Sequence, residues 1–136
     1  MKAKIKVAIQ GKKGSFHHIV AQRYFGNQLS LVTCETFDTS VKELLRNSAD
    51  LAVMAIENSI AGSIIPNYAL IDRNDLKIVG EYGLSINHNL MVLPGQIIDD
   101  IKEVHSHPMA LLQCKNFFQK YPSIVYICIG YGDEEE

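Results

Sequence analysis

Apolar positions along the chain change their period several times, and each change marks an element. Residues 5–9 (Ile-Lys-Val-Ala-Ile) are rich in β-formers and halt at Gly11, which predicts a first strand. Ser15 then opens a helical stretch in which Phe16, Ile19, Val20 and Tyr24 recur at helix spacing until Gly26 ends it. Residues 29–34 predict a second strand. Ser40-Val41-Lys42-Glu43 fits a capping box, with Val41, Leu44 and Leu45 as the buried side of a second helix. Residues 51–56 are nearly all apolar, the mark of a strand buried on both faces of a parallel sheet. That strand runs into the polar Glu57-Asn58-Ser59, and a third helix is predicted over 64–71.

This alternation of strands and helices is the pattern of an α/β domain with a largely parallel sheet. From Leu76 the texture changes: residues 76–86 and 89–93 read as two extended runs, the kind of pair that links two lobes. A strand over 101–106, a helix from Pro108 to about Tyr121, a strand over 124–129 and a bare acidic tail at 134–136 follow. The chain is therefore expected to hold a first α/β lobe at 1–84 and a partial second lobe at 85–136.

Composition narrows the function without naming it. A net charge of −2 gives no broad basic footprint, so nucleic acid is not the expected partner. No apolar run approaches the length of a membrane span, and the N-terminus lacks the apolar core of a signal peptide. Cys34, Cys114 and Cys128, an odd number at unrelated spacings, fit a reduced, cytoplasmic setting better than a disulfide framework. His17 and His18 are adjacent and His105 and His107 alternate, but neither pair carries the Cys or carboxylate spacing of a zinc site, so no metal is expected.

Three segments have the residue types for chemistry. Gly11-Lys12-Lys13-Gly14-Ser15-Phe16 joins a strand to a helix start, where free N–H groups and the macrodipole favour an anion; the plainer reading is a tight turn capped by Ser15. Glu57-Asn58-Ser59-Ile60-Ala61-Gly62-Ser63 follows the third strand, and ligands of open α/β sheets lie beyond the carboxyl ends of strands. Asn58, Ser59 and Ser63 bring neutral donors to that rim, and Gly62 permits close backbone approach; loop and cap chemistry is the alternative. In the third segment Ser106 and His107 border the helix start at Pro108, ahead of Gln113 and Cys114. Ser15, Asn58 and Ser59 are expected to converge on one concave patch. These readings fit a small carboxylate ligand in a cleft of a two-lobed protein.

Taken in order, the segments resemble prephenate dehydratase. That family shows Gly-x-x-Gly-(Ser/Thr)-Phe, then Glu-Asn-Ser with a following Gly, a Gly-Glu pair, Ser-His-Pro and Gln-Cys. Here they stand as Gly11, Gly14, Ser15 and Phe16; Glu57, Asn58, Ser59 and Gly62; Gly80 and Glu81; Ser106, His107 and Pro108; Gln113 and Cys114. The resemblance implies a two-lobed fold like a type II periplasmic binding protein, with the active site in the cleft between lobes. It implies removal of water and carbon dioxide from prephenate to give phenylpyruvate, on the way to phenylalanine, with no metal or organic cofactor. It implies catalytic roles for Asn58 and Gln113. Ser15, Phe16, Ser59, Gly62 and Ser106 would line the substrate site, while Glu57 would be structural.

One family motif is missing: a Thr-Arg-Asp-Thr-Ala-like segment after the strand that follows Gln-Cys, since the last threonine is Thr39. The chain is accordingly expected to be truncated, weakly active or inactive with weak affinity for the substrate, and self-associating through 85–130. The readings that compete with a dehydratase are a non-catalytic binding module for a small carboxylate or amino acid, and a self-associating fragment with no function of its own.

Overall fold

The computed structural model describes residues 3–129, so the acidic tail expected at 134–136 lies outside the described residues. These residues fall into two compact units that divide between Ile86 and Asn87. The first holds β1 (Ile5–Gln10), α1 (Phe16–Phe25), β2 (Leu29–Cys34), α2 (Phe37–Leu45), β3 (Leu51–Val53), β4 (Glu57–Asn58), β5 (Gly62–Ser63) and α3 (Ile65–Arg73). The second holds a single 3-10 turn (Ile98–Asp100), β6 (Glu103–Ser106), α4 (Pro108–Gln113), α5 (Lys115–Phe118) and β7 (Val125–Cys128).

In the first unit the strands run β2-β1-β3, all parallel, with Val7 opposite Leu31 on one side and Leu51 on the other. β1 is central, and Val7, Ala8 and Ile9 have no solvent exposure. Side chains alternate across a strand. Val7 and Ile9 therefore pack with Ala21, Phe25 and Leu31 on one face, and Ala8 packs with Cys34, Ala49 and Val32 on the other. The expected parallel α/β lobe is what forms.

α1 begins and ends where its sequence signals stand: the Ser15 hydroxyl accepts from the His18 N–H at 3.4 Å, and the Gly26 N–H donates to the Gln22 carbonyl at 2.9 Å. α2 departs from expectation. It starts a turn early, at Phe37, because Thr36 caps it by accepting from the Thr39 N–H at 3.1 Å. Ser40, expected as the cap, is fully buried inside the helix and donates to the Phe37 carbonyl at 2.7 Å.

β3 is also shorter than expected, and its residues are half-buried rather than enclosed on both faces. It pairs with β1 and with no other strand among the described residues, so its second edge lacks the cover that a central strand has. Residues 76–93 form no strand in the described structure, and Ile78, Val79, Met91 and Leu93 are exposed.

In the second unit β6 and β7 pair in parallel, and Val104, Phe118 and Ile124 form the buried core. The helix expected over 108–121 is broken. Cys114 has ψ near 6°, and its N–H is shared between the Ala110 and Leu111 carbonyls, which separates α4 from α5.

A long-range tie holds α1 to the chain leaving β3: the Ala55 N–H donates to Nε2 of His17 at 3.2 Å. The His17 ring meets Phe37 edge-on at 5.3 Å. Burial holds the imidazole below its ordinary value of 6.5, which favours the neutral ring, and the Ala55 N–H bond sets the tautomer with Nε2 as acceptor. On acidification the unfolded chain therefore takes up this proton first. The contribution of His17 to stability is complete above pH 6.5 and falls as the pH drops toward and through the folded-state value. Thermal unfolding of the native chain and of His17→Phe between about pH 8 and about pH 5 checks this. The difference between their melting temperatures should hold constant at the alkaline end and shrink at the acid end.

Candidate functional site

The turn after β1 is built on two glycines. Gly11 adopts φ +106° and Gly14 φ +94°, conformations that side-chain-bearing residues rarely take. A Cβ on Gly11 would stand 3.1 Å from Cβ and Oγ of Ser15, so this position also needs hydrogen to let the cap approach. The Gly11 N–H donates to the Cys34 carbonyl at 2.8 Å, and the Gly14 N–H donates to Nδ1 of His18 at 2.8 Å. Ser15 is half-buried as the cap of α1, and Phe16 beside it is exposed.

β1 and β3 are adjacent and parallel, so the turn carrying Ser15 and the segment carrying Asn58 leave the sheet at the same rim. That segment is a tight hairpin of β4 and β5, in which Glu57 pairs with Ser63 and Asn58 with Gly62 around Ser59-Ile60-Ala61. Gly62, at φ +76°, supplies the left-handed residue directly after the three-residue connection. The Asn58 Oδ1 accepts from the N–H groups of Ile60 at 2.9 Å and Ala61 at 3.1 Å. With its oxygen used by the turn, the Asn58 amide offers Nδ2 as a donor. Ser59 and Gly62 are exposed beside it.

Glu57 braces the hairpin. Its Oε1 accepts from the Tyr68 hydroxyl at 2.7 Å and from Oγ of Ser63 at 2.9 Å. These two bonds, Tyr68 first, hold the Glu57 carboxyl below its usual range, while the carboxylate raises the Tyr68 phenol in turn.

The second unit carries the other sequence-derived residues. Ser106 ends β6 half-buried, and its carbonyl accepts from the Ile129 N–H at 2.9 Å. His107 caps α4 by accepting at Nδ1 from the Met109 N–H at 3.2 Å. α4 is only six residues long, so its macrodipole is short. Gln113 is half-buried at the end of α4, and its Oε1 lies 2.6 Å from Nε2 of His88.

Sequence reasoning placed Ser15 and Asn58 on one rim. It missed His17, Asn67, Tyr68 and His88 as the partners that hold this polar geometry. Only His17 stood beside a motif; the others are set by contacts 11 to 25 residues apart along the chain. A concavity along the α1–β2 side is lined by Lys13, His18, Gln22, Asn27 and Ser30, and none of the expected site residues lines it. Among the described residues no cluster of His, Cys, Asp and Glu could hold a metal ion, and no helix is long and apolar enough to cross a membrane.

Known proteins resemble this chain in sequence and in fold. Over 118 residues the chain is 42% identical to arogenate dehydratase/prephenate dehydratase 2 of Arabidopsis thaliana, a chloroplastic protein; the match takes in 87% of this chain and 31% of that one. The solved prephenate dehydratase of Staphylococcus aureus superposes with a TM-score of 0.72 at 26% identity, covering 90% of this chain and 47% of that one. A structure described as a novel type of quorum quenching acylase shares the fold at TM-score 0.69 and 28% identity, covering 89% of this chain and 44% of that one. The chain thus spans about a third of the curated relative and under half of each solved structure. The sequence profile of prephenate dehydratase matches residues 7–129, and the chain belongs to the prephenate dehydratase family.

Proposed function

We propose that this chain carries substrate-binding and catalytic groups of a prephenate dehydratase, acting on prephenate to release water, carbon dioxide and phenylpyruvate. The observation that carries the reading is the Asn58 side chain, whose oxygen is fixed by the Ile60 and Ala61 amides so that its NH2 group serves as a set donor. Prephenate has two carboxylates, and departure of its ring hydroxyl needs a proton donor as the ring becomes aromatic. Preorganised neutral donors suit that dianion, because they stabilise charge without having to reorganise. In this reading Asn58 and Gln113 are the catalytic residues, and Ser15, Phe16, Ser59, Gly62 and Ser106 contact the substrate. Glu57 takes no part in binding, since a carboxylate would repel the dianion; its role is to brace the hairpin. The family match over 7–129 and the 42% identity favour this chemistry over acylase activity, which rests on one structural neighbour at 28% sequence identity.

The setting proposed is the cytoplasm, supported by three free cysteines. Self-association is proposed through residues 85–130, supported by the exposed apolar side chains of Leu90, Met91, Leu93, Ile97 and Val125.

Calorimetry with prephenate and a phenylpyruvate turnover assay test the activity together, with arogenate as a second substrate because the Arabidopsis relative bears both names. The unmodified chain should bind prephenate but turn it over only slowly, and Asn58→Ala and Gln113→Ala should each lower that rate by about 10²- to 10³-fold. Binding without turnover in the unmodified chain would favour a non-catalytic module, and unchanged turnover in both variants would refute the residue assignment. For self-association, sedimentation at rising concentration should show a dimer or larger species, and Met91→Lys with Leu93→Lys should shift it toward monomer. A monomer at all concentrations would contradict the proposal.

A further inference from the structure

Ala55 stands two residues past the end of β3, where the sheet no longer serves it. Extending the register that sets Ile9 opposite Val53 would bring Gly11 opposite Ala55. Gly11 instead turns away at φ +106° and gives its N–H to the Cys34 carbonyl of β2. Both backbone polar groups of Ala55 are taken by side chains: the N–H by Nε2 of His17 at 3.2 Å and the carbonyl by Nδ2 of Asn67 at 2.7 Å. Asn67 is 3% exposed, a buried amide in α3 whose neighbour Tyr68 grips Glu57. Consecutive residues of α3 thus hold alternate residues, 55 and 57, of the segment that leads directly into Asn58. Between them the Ile56 carbonyl accepts from the Ile64 N–H at 2.8 Å, which fixes the hairpin base.

We propose that His17 and Asn67 are positioning residues for Asn58, replacing the missing strand partner at Ala55 and so fixing the rim from which the Asn58 amide is presented. The inference rests on the dehydratase reading above, in which Asn58 meets the substrate. Apolar side chains at 17 and 67 would fill the same space but leave the Ala55 groups without partners. Such groups find water by moving outward, and the hairpin would move with them. His17 also joins this point to the helix that Ser15 caps, so one contact sets the two loops of the rim against each other.

The experiment compares His17→Phe, which keeps a ring against Phe37 but removes the acceptor, with His17→Gln, whose amide oxygen restores one. Asn67→Leu keeps side-chain size and removes the donor. The amide resonances of Ile60 and Ala61 report the Asn58 Oδ1 bonds directly, and calorimetry with prephenate reports binding. His17→Phe and Asn67→Leu should displace both resonances and weaken prephenate binding by about tenfold or more, with His17→Gln recovering most of each effect. If both variants melt earlier yet keep native resonances and native affinity, the two residues serve only the fold and the proposal is overturned. Should Asn67→Leu not fold, His17→Phe against His17→Gln decides the matter alone. Asn58→Ala separates the two readings. If that variant binds prephenate and turns it over as the unmodified chain does, the role given to Asn58 in the dehydratase reading fails, while the Ile60 and Ala61 resonances of the His17 and Asn67 variants still judge positioning.

Discussion

Enclosing β1 between two parallel neighbours and two apolar layers is the constraint on which the first unit depends. Val7, Ala8 and Ile9 lose all solvent contact. Full burial of Val- or Ile-sized side chains is worth about 1.5–3 kcal/mol each, enough to offset the roughly 1–2 kcal/mol per residue of ordering the backbone. Because Val7 and Ile9 face one layer and Ala8 the other, a slip of one residue would put large side chains where small ones fit. The register thus fixed sets where β1 ends, and with it the direction in which Gly11 must turn.

That turn has consequences beyond its own loop. By bonding to β2, Gly11 satisfies the last carbonyl of one neighbour and leaves the chain leaving β3 without a strand beside it. Backbone groups in such a place must be paired, and here polar side chains from α1 and α3 do it. The rim is therefore joined to two helices by hydrogen bonds rather than by apolar packing alone. A burial-shifted imidazole at one of these joints makes the arrangement weaken in acid.

Much of this was legible along the chain. β2 and α1 could be read to their ends because β-branched residues, a serine cap and a terminal glycine stand where the physics needs them. The α/β class followed from the alternation of elements, and Asn58 and Ser15 could be placed on one rim from strand direction alone. What escaped was set by distant or competing contacts. Ser40 looked like a cap until Thr36 proved to be an earlier one. The bend at Cys114 carries no glycine or proline to announce it. β4 and β5, two residues each, are too short to show a period. His17 meets Ala55 across 38 positions, a separation no local pattern reports.

The central claim is that the rim shared by β1 and β3 is where a substrate is held. Titrating prephenate into the isotopically labelled chain and following backbone and side-chain amide resonances measures this directly. The account predicts that the Asn58 side-chain NH2 shifts most in the first unit, together with the amides of Ser15, Ser59 and Gly62. Shifts confined to the α1–β2 concavity at Lys13, Gln22 and Asn27, with Asn58 unmoved, would contradict it.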